Sequence, residues 1–185
     1  MKPGVRALGV AESYRGEEST LAGAVVRADR VVDGFAFSRI SVGGLDATAG
    51  LCALVGRLDR EDVPYLFLSG IAPAWFNLFD LNRLHERTGM AVCSVSFEES
   101  DGLESGVSEA FSGDERERRL AIYERQPPRS EVRVNDESVF VRTVGLDDEE
   151  VTSIVRTFTP EGGRPEPIRV ARLAARAADE WRGGE

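Results

Sequence analysis

The stretch from Val5 to Ala11, VRALGVA, is apolar at both parities apart from Arg6, and it closes in Glu12-Ser13-Tyr14-Arg15-Gly16. Side chains alternate between the two faces of a strand. A run apolar on both faces therefore predicts a strand covered on both sides, in the interior of a sheet. The same alternation puts Glu12 on the face of Leu8 and Val10. A carboxylate at the end of such a strand is costly to desolvate unless donors or a cation meet it. Glu12 is thus the first candidate for chemistry. Simple pairing with Arg15 or another arginine is the plain alternative.

Strand-like runs follow at Thr20–Arg27 and Val31–Arg39, separated by short turns, which favours an antiparallel meander. The pattern then changes. Thr48–Arg60 has helical spacing in Leu51, Leu54, Val55 and Leu58, and Tyr65–Leu68 is a short buried strand. Phe76–Thr88 reads as a helix and Met90–Val95 as another buried strand. From about residue 45 the chain therefore predicts strand–helix–strand units with right-handed crossovers. Surface helices are expected at Leu103–Phe111 and Asp114–Arg125. A hairpin turning at Asn135-Asp136, an amphipathic helix over Leu146–Phe158 and a last helix over Ile168–Trp181 complete the pattern. With 185 residues, no repeat and no long linker, residues 1–185 are expected to form a single α/β domain.

Charge and composition narrow the partners less than usual. The net charge is −9, and Lys2 is the only lysine, the other basic residues being arginine. An acidic chain normally argues against nucleic acid. Composition of this kind also suits high salt, where the Debye length falls to roughly 3 Å and only local arginine placement counts. No apolar run approaches the length of a membrane span, and the start, Met1-Lys2-Pro3-Gly4, leads directly into a strand, so a cytoplasmic protein without membrane contact is expected. Cys52 and Cys93 sit in apolar surroundings in no metal-binding spacing and read as core residues.

Asp46 follows Gly43-Gly44 at a helix start, where it is either a second acidic ligand beside Glu12 or an ordinary helix cap. Ser69 ends the Tyr65–Leu68 strand beside Gly70, without His and Asp partners for a nucleophilic triad. Ser41-Val42-Gly43-Gly44 precedes a helix but lacks the lysine of a phosphate-binding loop and reads first as a turn. Arg169, Arg172 and Arg176 share a helical face and are suited either to phosphate or to pairing with carboxylates.

Two stretches, GVAESYRG with VVDGFAFSRISVGGLDAT downstream, and PEPIRVARL near the end, resemble an archaeal family labelled endonuclease dU. That family is in turn similar to endonuclease V, a ribonuclease H-like, magnesium-dependent enzyme that nicks nucleic acid near deaminated bases. The resemblance spans essentially the whole chain. It implies a ribonuclease H-like mixed sheet, with a three-strand antiparallel meander followed by parallel βαβ units. It also implies metal-assisted cleavage of deaminated, deoxyuridine-containing DNA, with RNA as the alternative partner. Of the metal-binding acids of endonuclease V, Glu12 keeps the first. The next strand-end acid falls at Ser69, and the acid or histidine after Pro-Glu-Pro falls at Arg172. The resulting expectation has Glu12, Asp46 and Ser69 as catalytic residues and Glu12 and Asp46 as ligands of Mg2+. Arg39, Arg169 and Arg172 are expected to bind nucleic acid, with Arg172 facing the cleft near Glu12. The competing expectation is a non-catalytic nucleic-acid-binding protein that keeps the fold, and a small-nucleotide hydrolase is a third.

Overall fold

In the computed structural model, which describes residues 2–183, the chain opens with β1 (Arg6–Arg15), β2 (Glu18–Arg27) and β3 (Val32–Ser41). Helix α1 (Ala47–Leu58), β4 (Tyr65–Ser69), the short turn α2 (Pro73–Phe76), α3 (Leu81–Thr88) and β5 (Ala91–Ser96) follow. The second half runs α4 (Glu104–Ala110), α5 (Gly113–Glu124), β6 (Ser130–Val134), β7 (Glu137–Val144), α6 (Asp148–Phe158) and α7 (Glu166–Gly183). The strands form one sheet in the order β3-β2-β1-β4-β5-β7-β6. β1 is interior, as its sequence demands, antiparallel to β2 and parallel to β4. β4 and β5 are parallel, whereas β7 returns antiparallel to β5 with β6 outside it.

The alternation in β1 sorts the two cores. Leu8 and Val10 pack with Leu51 and Leu54 of α1 and Leu81 and Leu84 of α3 on one face. Ala7, with Phe67 and Cys93 of the neighbouring strands, meets Ile154, Phe158 and Ile168 of α6 and α7 on the other. Burying one such Leu, Ile or Phe contributes about 1.5–3 kcal/mol. Burial also pushes the Cys93 thiol up to about 12, so it is a packing group and not a nucleophile. Gly9 lets α7 reach the sheet: a Cβ there would lie 2.0 Å from the carbonyl carbon of Pro167. The start of α7 therefore rests directly on β1.

The expected meander, the parallel strands β4 and β5, the hairpin and the capped helix near Asp147 are all present. One element differs. The helix expected over Phe76–Thr88 does not start there. Ala74, Trp75 and Phe76 have φ of 45°, 60° and 56°, the left-handed region, and the true helix α3 begins only after Asp80, whose carboxylate accepts from the Arg83 N–H at 3.1 Å.

Candidate active site

Strands β1, β3, β4 and β5 all point their carboxyl ends the same way, so the loops after them gather at one end of the sheet. Glu12 sits there, on the α1 face and half-buried. The Ser19 hydroxyl of β2 donates to Glu12 Oε2 at 2.7 Å. The other Glu12 oxygen, Oε1, accepts among the described residues only from the Ala74 N–H, at 3.5 Å. Arg15 instead pairs with Asp179 of α7 at 3.2 Å, so it does not neutralise Glu12. The β1–β4 register ends at Val10↔Leu68, which places Glu12 and Ser69 at the same end on adjacent strands.

The left-handed turn between β4 and α3 abuts Glu12 through Ala74. Such backbone costs an L-residue on the order of 1–2 kcal/mol per position, so three in succession need external restraint. Arg119 of α5 supplies much of it. This residue is 0% exposed and is the one fully buried residue of its helix. Its Nε donates to the Phe76 carbonyl at 3.2 Å, and Nη2 donates to the carbonyls of Gly43 and, at 3.1 Å, Gly44. Nη1 donates to the Glu115 carbonyl and carboxylate, and the guanidinium lies 3.6 Å from the Phe111 ring centroid. The Gly43 N–H donates back to the Ala74 carbonyl at 2.7 Å. The Gly43 N–H is thus spent on the left-handed turn and the Gly44 N–H on the Ser41 carbonyl, so neither is offered to a phosphate.

Asn77, also 0% exposed, closes the same region. Its Nδ2 donates to the Ser41 carbonyl at 2.8 Å and to Asp46 Oδ1 at 2.6 Å, while its Oδ1 accepts from the Ala47 N–H at 2.8 Å. Asp46 also accepts from the Ser41 N–H and from the Ser41 hydroxyl at 3.0 Å. Both oxygens of Asp46 are thereby engaged in a clasp that ties β3, α1 and the turn together.

Beyond β4 the carboxyl end opens into a cleft of about 620 Å³. Ser69, Gly70 and Ala72 line one side, and Phe97, Arg129, Arg142, Arg164 and Arg172 are among the residues lining the rest. Arg129 and Arg142 are held by protein carbonyls and hydroxyls, among them Ser100, Ser96, Pro127 and Tyr123. Arg164 and Arg172 make no ion pair among the described residues, and neither does Arg176 nearby. Arg164 stacks 4.6 Å from the Phe97 ring centroid, and its Nε is buried without a partner. Burial first, and then the charges of Arg172 and Arg176, push the Arg164 pKa below its ordinary value. Glu98 and Asp101 also line this cleft, but none of the three arginines forms an ion pair with them among the described residues.

The model of the family described as endonuclease dU matches residues 3–179. The chain belongs to the endonuclease dU family. A UPF0215 protein of Thermococcus kodakarensis is 30% identical to it over 96% of this chain and 93% of that one. The crystal structure of a protein of unknown function from Archaeoglobus fulgidus superposes with a TM-score of 0.83 at 31% identity, covering 94% of this chain and 97% of that one. Endonuclease V of Ciona intestinalis, in complex with a 24mer DNA containing an inosine followed by a ribo-adenosine, gives a TM-score of 0.61 at 15% identity, covering 97% and 87%. The fold of this endonuclease dU member is accordingly the ribonuclease H-like one of endonuclease V.

Against that fold, the predicted site residues divide. Glu12, Asp46 and Ser69 stand at the carboxyl end of the sheet, with the Ile71–Phe79 segment linking the first two. Arg172 lines the cleft beside Ser69, and its helix packs on the sheet face opposite Glu12, so the two do not pair. Arg169 is taken by Glu166 in a two-point contact at 2.6 and 2.7 Å. Arg39 projects beside Phe37 and Trp181, on the face away from Glu12, and lies 3.6 Å from Glu18. Mg2+ commonly takes one or two carboxylates and completes its shell with water and substrate phosphate. Glu12 has one oxygen to give, and Asp46 would have to surrender Asn77 or Ser41 to give any. Among the described residues no group of three or more His, Cys, Asp or Glu could hold a metal ion. The donor set therefore does not fit a cation held by the protein alone.

Sequence reasoning missed Arg119 and Arg164. Arg119 lies in the charged run Asp114-Glu115-Arg116-Glu117-Arg118-Arg119, which reads as a solvated helix. Phe111 just before its helix and Gly43-Gly44, remote in sequence, mark where it goes.

Proposed function

We propose that the protein is an endonuclease of nucleic acid, acting on deaminated, deoxyuridine-containing DNA by hydrolysis of a phosphodiester. The observation that carries this reading is the approach of Arg172 and Arg176 to Arg164, none of them in an ion pair among the described residues, although Glu98 and Asp101 also line the strand-end cleft beside Ser69. Guanidinium groups of this kind suit phosphate oxygens, and binding of phosphates releases counterions even when the protein's overall charge is negative. Membership in the endonuclease dU family supports the reaction class and supplies the substrate. The Ciona endonuclease V that shares the fold is bound to DNA. Glu12 is assigned as the catalytic carboxylate, because it is the strand-end acid with an oxygen still open. Ser69 is assigned to the edge of the substrate cleft, and Asp46 to holding the turn that borders Glu12. Magnesium dependence belongs to the proposal, with Glu12 as the one protein ligand.

A second reading, a non-catalytic nucleic-acid-binding protein, is favoured by one observation: both oxygens of Asp46 are already engaged. One assay separates the two. Purified protein is incubated with a duplex holding a single uracil, with and without Mg2+, beside an undamaged duplex. Nicking that needs both uracil and Mg2+ supports the endonuclease. Binding of the duplex without nicking under any condition supports the second reading and ends the first.

A further inference from the structure

We propose that Trp75 is a stacking platform for an unpaired nucleobase, set beside Glu12 by the left-handed turn; this rests on the nucleic-acid reading above. The turn is expensive, and its cost is not repaid by burying the indole. Trp75 is 57% exposed, although it sits between residues that pack inward. Phe76 meets Phe111 edge-on at 6.3 Å, and a Cβ on Gly106 would lie 2.9 Å from its ring. Pro73 and Ala74 are buried.

The surroundings hold the indole in place and leave it open. Arg119, Asn77 and the Gly43 N–H fix the backbone on each side of it. Its aromatic contact is with Phe76, centroids 5.5 Å apart and planes at 71°, so no ring is stacked flat upon it. A large aromatic restrained in this way and presented to solvent is suited to stack a planar partner, and every base offers a π-face. The neighbouring groups favour a nucleobase over a protein side chain. The residue before Trp75 touches the Glu12 carboxylate, and the segment leading into the turn, Ile71-Ala72, lines the arginine cleft. A nucleotide stacked on Trp75 would have its flanking phosphates between the open carboxylate and the unpaired cations. Base-modifying enzymes likewise read unstacked bases between aromatic and apolar side chains.

The test uses the full chain carrying Trp181→Phe, which leaves Trp75 as its single tryptophan. Its emission is followed while a uracil-containing single-stranded oligonucleotide is added. Saturable quenching of Trp75 is expected. Trp75→Gly is expected to weaken binding roughly 5- to 140-fold, the loss of one stacked base, with the slope of log Kd against log salt unchanged. Glycine adopts the left-handed backbone without strain, so the Tm of Trp75→Gly should equal or exceed that of the parent. Trp75→Phe should recover most of the affinity. Binding with unchanged Trp75 emission, or undiminished affinity of Trp75→Gly, overturns the platform while leaving the nucleic-acid reading standing. A clear fall in the Tm of Trp75→Gly makes the indole a packing residue and also overturns it. Failure of the parent protein to bind any oligonucleotide overturns both.

Discussion

The carboxyl end of the sheet has two sides built on opposite principles. On the α1 side, acids are satisfied by neutral donors: Ser19 holds Glu12, and Ser41 and Asn77 hold Asp46. Across β4, toward α7, arginines stand outside ion pairs among the described residues: Arg172 and Arg176 lie near Arg164, which stacks on Phe97, and Glu98 and Asp101 line the same cleft without pairing with them. Mutual neutralisation by a bidentate pair would be the cheaper arrangement, and the fold avoids it by putting Glu12 and α7 on opposite faces of β1. The difference teaches that net charge is a poor guide to partner here. Local separation of charge leaves arginines outside ion pairs on one side and an open carboxylate on the other.

The sharpest way to break this comparison is to release the turn between the two sides. Arg119→Leu strands the carbonyls of Phe76, Gly43 and Gly44, and it should cost about 3–5 kcal/mol in denaturant unfolding, as for other broken buried charge networks. A loss below about 1 kcal/mol would mean that the turn is held by something else. Asp46→Ala tests the acidic side. It deprives the buried Asn77 amide of a charged acceptor and should cost about 1.5–3 kcal/mol, with nicking per folded molecule retained. Intact stability with lost nicking would instead make Asp46 a metal ligand. Arg172→Gln tests the cationic side. It should weaken duplex binding mildly and lower the salt slope by about 0.9, one phosphate contact. Arg169→Gln, whose guanidinium is spent on Glu166, should leave both unchanged, and equal effects of the two would erase the distinction between paired and unpaired arginines.

How much of this was legible in the sequence depends on the range of the interactions. The interior position of β1, the meander and the amphipathic helices follow from periodicities of two and 3.6, which are local. Glu12 was legible for the same reason, as the polar end of a doubly buried run. The turn was not. Pro73-Ala74-Trp75-Phe76 looks like a helix start, with proline where proline is tolerated. What overrides that preference is Arg119, reaching back 43 residues to Phe76 and 76 residues to Gly43. Asp46 was read as a cap or a ligand; it became a clasp because Asn77, 31 residues on, is folded against it. Arg172 was expected to face the cleft near Glu12; it lines the cleft from the sheet face opposite Glu12. Its spacing gives the helix face but not which side of the sheet the helix covers.

The most direct test compares wild type with Glu12→Gln, measuring nicking of a uracil-containing duplex and its binding in the same samples. The substitution removes a charge and keeps the shape, while the arginine side is untouched. The account predicts that wild type nicks, and that Glu12→Gln binds with the same affinity and salt slope but nicks at least a hundredfold more slowly, the scale of losing one acid–base or charge-stabilising group. Undiminished nicking by Glu12→Gln would contradict it, as would loss of binding together with nicking, since either result would deny that chemistry and binding lie on separate sides.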